Sequence, residues 1–218
     1  MLRPFQIACL LVLSSILSDP QTEAAPVVTF TVDFPASQPE HYSIRIQSDG
    51  PAHYHSTGRL SDDSDDTDSF DFDFTAAPDT RQKIFDLAAK AGYFQKNVDS
   101  RRKDLAFTGK KTLSYKDARR SGESSYNYSA IPAVQELTGL LQSLSATLEF
   151  GHRLQYDRHY QKLALDEELK RMEEMARSNE LVEVTAIQPI LGEIIADQSV
   201  INVTRARAQR LLERAGVH

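Results

Sequence analysis

Hydrophobic and polar positions follow two rhythms along this chain. From Val27 to about Tyr128 the period is mostly two, the mark of strands with one buried face. Val28, Phe30 and Val32 alternate with polar or small neighbours and predict a first strand. Tyr42, Ile44 and Ile46 alternate with Ser43, Arg45 and Gln47 and predict a second. Ser48-Asp49-Gly50 turns the chain back through Ala52, Tyr54 and Ser56. The apolar pattern also selects the turn. A two-residue loop would set Ile44 opposite His55 and Ile46 opposite His53, leaving both histidines on the apolar face. A three-residue loop with a left-handed Gly50 and a bulge pairs Ile44 with Tyr54 and Ile46 with Ala52. That register is expected, because a slip of one residue turns every side chain over. Phe70, Phe72 and Phe74 alternate with Ser69, Asp71, Asp73 and Thr75, the cleanest half-buried strand of the chain.

Pro78 then opens a helix with Ile84, Leu87, Ala88 and Ala91 on one face; Gly92 ends it and Tyr93 is placed to fold back over the last turn. Residues 105–128 read as a meander. Leu105 and Phe107 lead to a turn at Gly109, Leu113 and Tyr115 to a turn near Ser121-Gly122, and Tyr126 and Tyr128 close it. From Ile131 onward the period is helical. Val134, Leu137, Leu141, Leu144 and Leu148 follow Pro132 at spacings of three and four, in a helix expected to bend or end near Gly151. Asp166 is placed to cap a helix carrying Leu169, Met172 and Ala176. Another helical stretch runs from Leu181 to Ile195, broken or restarted at Pro189. Ser199 is placed to cap a last helix with Val203, Ala206, Leu211 and Leu212 inward. The expected fold class is α+β: an antiparallel sheet with packed helices over residues 26–150, then an all-helical C-terminal extension over 151–218.

The first 25 residues have a different pattern. Arg3 precedes an apolar run from Phe5 to Leu17, followed by polar residues and the small pair Ala24-Ala25. That order is expected of a secretory signal peptide cleaved after Ala24 or Ala25. The run is about 13 residues where roughly 20 cross a bilayer, so no transmembrane span is expected in the mature chain. Cleavage would remove Cys9, the only cysteine, and with it disulfides, thiolate nucleophiles and Cys-ligated metals. A cysteine-free exported chain fits a periplasmic or secreted protein of a bacterial envelope.

Among 218 residues the formal net charge of −6 rules out a globally basic nucleic-acid binder, and genomic nucleic acid is not an expected partner. Charge is nonetheless segregated. From Arg59 to Asp79 there are eight aspartates against one arginine, and Asp62, Asp63, Asp65 and Asp66 could offer oxygen ligands to a hard cation. The bland reading is a solvated loop, since the sharp-turn glycine of a calcium loop is missing. His53 and His55 share one strand face and could hold zinc or copper, although the expected register puts Arg45 opposite His53. From Lys96 to Arg120 there are nine bases against three acids. Arg101, Arg102, Lys103, Lys110, Lys111, Arg119 and Arg120, with tyrosines nearby, form a candidate polyanion patch; the bland reading has these bases facing the acidic segment across the domain. Glu149, His152, Asp157 and His159 gather titratable groups near the end of the long helix, but no nucleophile is tied to them.

Phosphate loops, zincin motifs, nucleophile elbows and calcium loops are all missing, so no cofactor and no catalytic residue is assigned. The segment Tyr42-Ser43-Ile44-Arg45-Ile46, with Asp49-Gly50, Tyr54, Gly58 and Ala91-Gly92-Tyr93-Phe94, resembles a family of uncharacterised exported bacterial domains whose hairpin has a Tyr-Ser start and an Asp-Gly turn. The resemblance covers about residues 41–150 and implies export and bacterial origin, with no activity or site. The expected function is a non-enzymatic envelope module that binds a protein or other envelope component through the sheet's charged face or the helical tail. The alternative is a metal-dependent or acid/base hydrolase using the His and carboxylate clusters.

Overall fold

The computed structural model describes residues 24–35, 37–59 and 67–216. The leader-like segment and Asp62, Asp63, Asp65 and Asp66 lie outside the described residues, apart from the Ala24-Ala25 pair. Among the described residues six strands form one antiparallel sheet: β1 (Val27–Asp33), β2 (His41–Gln47), β3 (Pro51–Arg59), β4 (Thr67–Thr75), β5 (Lys110–Lys116) and β6 (Ser121–Tyr126). Their order is β4-β3-β2-β1-β5-β6. The β2–β3 register pairs Ile44 with Tyr54, Ile46 with Ala52 and Arg45 with His53, the three-residue-loop solution. Gly50 closes that loop at φ 129°, a conformation that side chains disfavour. The inner face buries Phe30, Ile44, Ile46, Tyr54 and Leu113, and the outer face alternates to polar residues.

Five α-helices among the described residues cover the inner face or extend from it: α1 (Pro78–Lys90), α2 (Pro132–Tyr160), α3 (Leu165–Arg177), α4 (Gln188–Ala196) and α5 (Asn202–Arg214). The leucine stripe of α2 is buried from Val134 to Leu154, and α1 packs beside it, with Lys83 and Glu136 2.8 Å apart. Helix α2 runs through Gly151 without a break, so position 150/151 lies inside one helix. A side chain at Gly151 would lie 2.6 Å from Ile187 Cγ2, so the glycine permits close approach rather than termination. Helix α4 restarts at Pro189 as the sequence suggests, after a 3-10 turn over Val184–Ile187.

Several local expectations differ. Leu105 and Phe107 are in a loop, and Phe107 is exposed, so the meander starts at Lys110. Helix α1 does stop before Gly92 as expected, but Gly92, Tyr93 and Phe94 then all take positive φ in a 3-10 turn. That turn drives Phe94 into the core and leaves Tyr93 leaning on Tyr115, with the Arg120 guanidinium 4.0 Å above its ring. Asp166 and Ser199 cap no helix. Asp166 accepts hydrogen bonds from Arg207 and Thr204 of α5, and Ser199 pairs with Asp197 and Lys162. Helix α5 buries Thr204, Ala208, Leu211 and Leu212, leaving Val203 and Ala206 exposed. Ala206 and Leu211 are five apart and cannot share the inward face of a helix.

Candidate functional site

A cavity of about 340 Å³ opens where α2 passes beyond the end of the sheet. Strand parity supplies its floor. Ser56 and Gly58 share the inward parity of Tyr54 and are paired with Phe70 and Asp68 of β4. Helical spacing supplies one wall, because Glu149, His152 and Tyr156 recur every three or four residues on α2. Arg153 and Asp157 lie beside them, Glu168 comes from α3, and Pro39 from the β1–β2 connection closes one side.

The polar groups are mostly committed to one another. Glu149 Oε1 accepts hydrogen bonds from the Tyr54 hydroxyl and from Ser56 Oγ, both at 2.7 Å. Burial and the Glu149 charge push the Tyr54 hydroxyl well above the ordinary tyrosine value, so it remains a donor. His152 stacks flat on Phe70, with ring centroids 4.1 Å apart and planes at 4°. Its Nε2 lies 3.1 Å from Asp68 Oδ2 and its Nδ1 lies 4.0 Å from Glu149 Oε2. Arg153 donates from Nε to Glu168 at 3.2 Å and lies over the Phe150 ring. Asp157 is different. It is 8% exposed, lines the cavity, and makes no side-chain hydrogen bond or ion pair among the described residues. Burial and the Glu168 carboxylate push its carboxyl above the ordinary aspartate value, with Arg153 partly offsetting them.

The structure distributes the sequence candidates differently. His53 and His55 are on the outer face: His53 Nδ1 lies 2.8 Å from Asp73 and His55 Nδ1 3.0 Å from Asp71, while His41 pairs in the same way with Asp33. Among the described residues no group of three or more His, Cys, Asp or Glu is arranged to hold a metal ion. Arg101, Arg102 and Lys103 are exposed in the loop before β5, where Arg102 pairs with its neighbour Asp104. Lys110 and Arg119 are exposed, and Arg120 pairs with Asp117 at 2.9 Å. Lys111 is withdrawn from that patch. It shares the inward parity of Leu113 and Tyr115, is 5% exposed, and donates to the Thr108, Gly109 and Asn127 carbonyl oxygens. The basic strands occupy one edge of the sheet and Asp71 and Asp73 of β4 the other, so these two groups do not face each other.

Of the helix-end cluster, Glu149, His152 and Asp157 enter the cleft, whereas His159 is exposed, with Nδ1 2.9 Å from the Gln155 carbonyl oxygen. Tyr54, Ser56, Arg153, Tyr156 and Glu168 are site residues that sequence reasoning passed over, and Asp68 counted there only as one charge in a run. The signal for the α2 residues was present as a polar stripe in phase with the leucines. No protein-family model matches the chain, and a search of curated proteins finds no match. Among the described residues no helix is long and apolar enough to cross a membrane.

Proposed function

We propose that this chain is an exported, non-enzymatic binding protein that takes a small polar ligand in the cleft above Ser56. The leader pattern of residues 1–25 and the resemblance to exported bacterial domains support the location. One observation carries the binding role: Asp157, 8% exposed and without a side-chain partner among the described residues, stands in the wall of a cleft large enough for a small molecule. Such a group costs stability and is compatible with a fold that reserves it for an outside partner. The outer face offers less, because its histidines already have aspartate partners.

Binding is favoured over nucleophilic catalysis because, among the described residues, no histidine hydrogen-bonds Ser56: its hydroxyl donates to a Glu149 oxygen that the Tyr54 hydroxyl also occupies, and His152 is held by Asp68 and by stacking on Phe70. A second reading, acid/base hydrolysis, rests on two carboxyl groups in one cleft, Glu149 and Asp157. The test is a nuclear magnetic resonance titration of the purified chain with cationic, anionic and polyhydroxylated small molecules. Binding of at least one class is expected to shift the amides of Ser56, Asp68, Glu149 and His152 together, without turnover of the compound. Shifts confined to other surfaces, with all classes tried, would remove the cleft reading; turnover would favour the hydrolase.

A further inference from the structure

We propose that the cleft selects ligands carrying a positively charged amine, with Asp157 as the counter-charge and Tyr156 as an aromatic rim. The proposal rests on the cleft being the binding site and adds the chemical class of its ligand. Among the described residues, four carboxyl groups line the cavity (Asp68, Glu149, Asp157 and Glu168) against one guanidinium, Arg153, and one imidazole, His152. Internal pairing engages both of these basic side chains. Arg153 is engaged by Glu168 at 3.2 Å and His152 by Asp68 at 3.1 Å. The remaining acceptors are the Asp157 carboxyl and Glu149 Oε2, whose ion-pair contact, to His152, is 4.0 Å long. A neutral donor could use these oxygens, but an ammonium also cancels the surplus negative charge that burial makes expensive.

The rim suits the same ligand. Tyr156 is 41% exposed, and its ring lies 5.0 Å from that of Tyr160 one turn on. An alkylammonium gains from a ring face as well as from a carboxylate. The volume of about 340 Å³ matches a short linear amine.

A proton signature follows. The charged groups facing Asp157 are Arg153 on its own helix and Glu168 of α3, with Glu149, His152 and Asp68 in the same cleft. An ammonium that pairs with Asp157 favours its ionised form, so binding should release a proton wherever the free carboxyl is still partly protonated. Affinity should therefore rise with pH through the ionisation of Asp157.

The experiment is calorimetric titration of the purified chain with spermidine and, separately, with maltose, in roughly 0.15 M salt to screen nonspecific attraction. Buffers of two ionisation enthalpies report proton release, and amide shifts report the site. Spermidine is expected to bind at the cleft, about tenfold or more weakly to Asp157→Asn, and more weakly to Tyr156→Ala, a rim variant that does not disturb the core. Equal spermidine affinity in wild type and Asp157→Asn would overturn the proposal. Maltose binding at the cleft with spermidine inert would overturn the amine class while leaving the cleft reading in place. Absence of cleft shifts with either compound would also overturn it, and the wider panel then decides whether the cleft binds anything at all.

Discussion

Lys111 and Asp157 are both ionisable side chains taken out of water, and the protein treats them in opposite ways. The Lys111 ammonium is wrapped by three carbonyl oxygens at 3.0, 3.3 and 3.1 Å, so backbone dipoles replace most of the lost water even though burial lowers its pKa. The Asp157 carboxyl receives no such compensation, and its pKa is raised. A raised carboxylate means that the folded state holds the proton more tightly than the unfolded chain does, so stability falls as pH rises through the folded pKa. Asp157→Asn is therefore expected to stabilise the protein at pH 7. The melting temperature should rise by about 2–4 °C, the shift that ~1 kcal/mol produces at this size. The gain should vanish below the ordinary aspartate value of 3.8, where the native side chain is itself neutral. Thermal melts at several pH values check this, and a destabilised Asp157→Asn at neutral pH would contradict it. A variant that is more stable yet binds worse is the pattern expected of a residue kept for a ligand.

Among the elements, α2 does most to join the sheet to the helical part. Its leucine stripe lies over the inner face of the sheet, and Gly151 lets Ile187 approach from the turn before α4. Alanine is ordinarily the better helix former by about 1 kcal/mol. Here a methyl group would sit 2.6 Å from a branched, 2% exposed side chain with few rotamers to yield. Overpacking of this kind costs about 1–3 kcal/mol, so Gly151→Ala is expected to be net destabilising by about 1 kcal/mol. Trimming its neighbour with Ile187→Ala should relieve the clash. Denaturant melts of the two single variants and the double variant should then show a cost well below the sum of the singles. Additive costs would mean that the two residues do not meet. Two further ties link distant elements. Glu183, 106 residues along the chain, accepts a hydrogen bond from the Ala77 amide that precedes α1. Glu173 of α3 is gripped by Arg207 and Arg210 of α5; burial alone would raise its carboxyl, but the two hydrogen bonds outweigh that and hold it below the ordinary value.

Across the whole molecule these ties make one continuous core from Val28 of β1 to Leu212 of α5. The division into residues 26–150 and 151–218 describes a change of texture, and the packing runs through it. A chain ending at Tyr160 would uncover Leu148, which shares a hollow with Ile187 and Ile190, and would cut the Arg153–Glu168 pair at the cleft. Calorimetry of the purified chain is expected to give a single cooperative transition, and the shortened chain no sharp one. Two separate transitions, or a shortened chain that melts cooperatively on its own, would show the helical part to be an independent unit. Charge is also arranged globally, with bases near the β5–β6 edge and acids at the β4 edge of one sheet. The outer face between them carries cross-strand contacts such as that of His53 with Asp73.

Periodicity alone determined most of the strands, the long helix and the β2–β3 register, because burial of one face imposes a period of two or 3.6 that a single sequence displays openly. It also contained the inward parity of Lys111, which a count of charges obscured. The stop of α1 at Gly92 was legible, and helical spacing alone already separates Ala206 from Leu211; the roles of Asp166 and Ser199 were not, since each is set by a partner far along the chain. The cleft was legible only in fragments. Glu149, His152 and Asp157 stood out as titratable neighbours on one helix, but Ser56 is 93 residues from Glu149 in sequence. Asp68 was one aspartate among eight. Only the folding of α2 across the end of β3 and β4 brings these groups together and leaves Asp157 largely buried with no side-chain partner among the described residues, because contact between distant segments is a property of packing that no local pattern encodes.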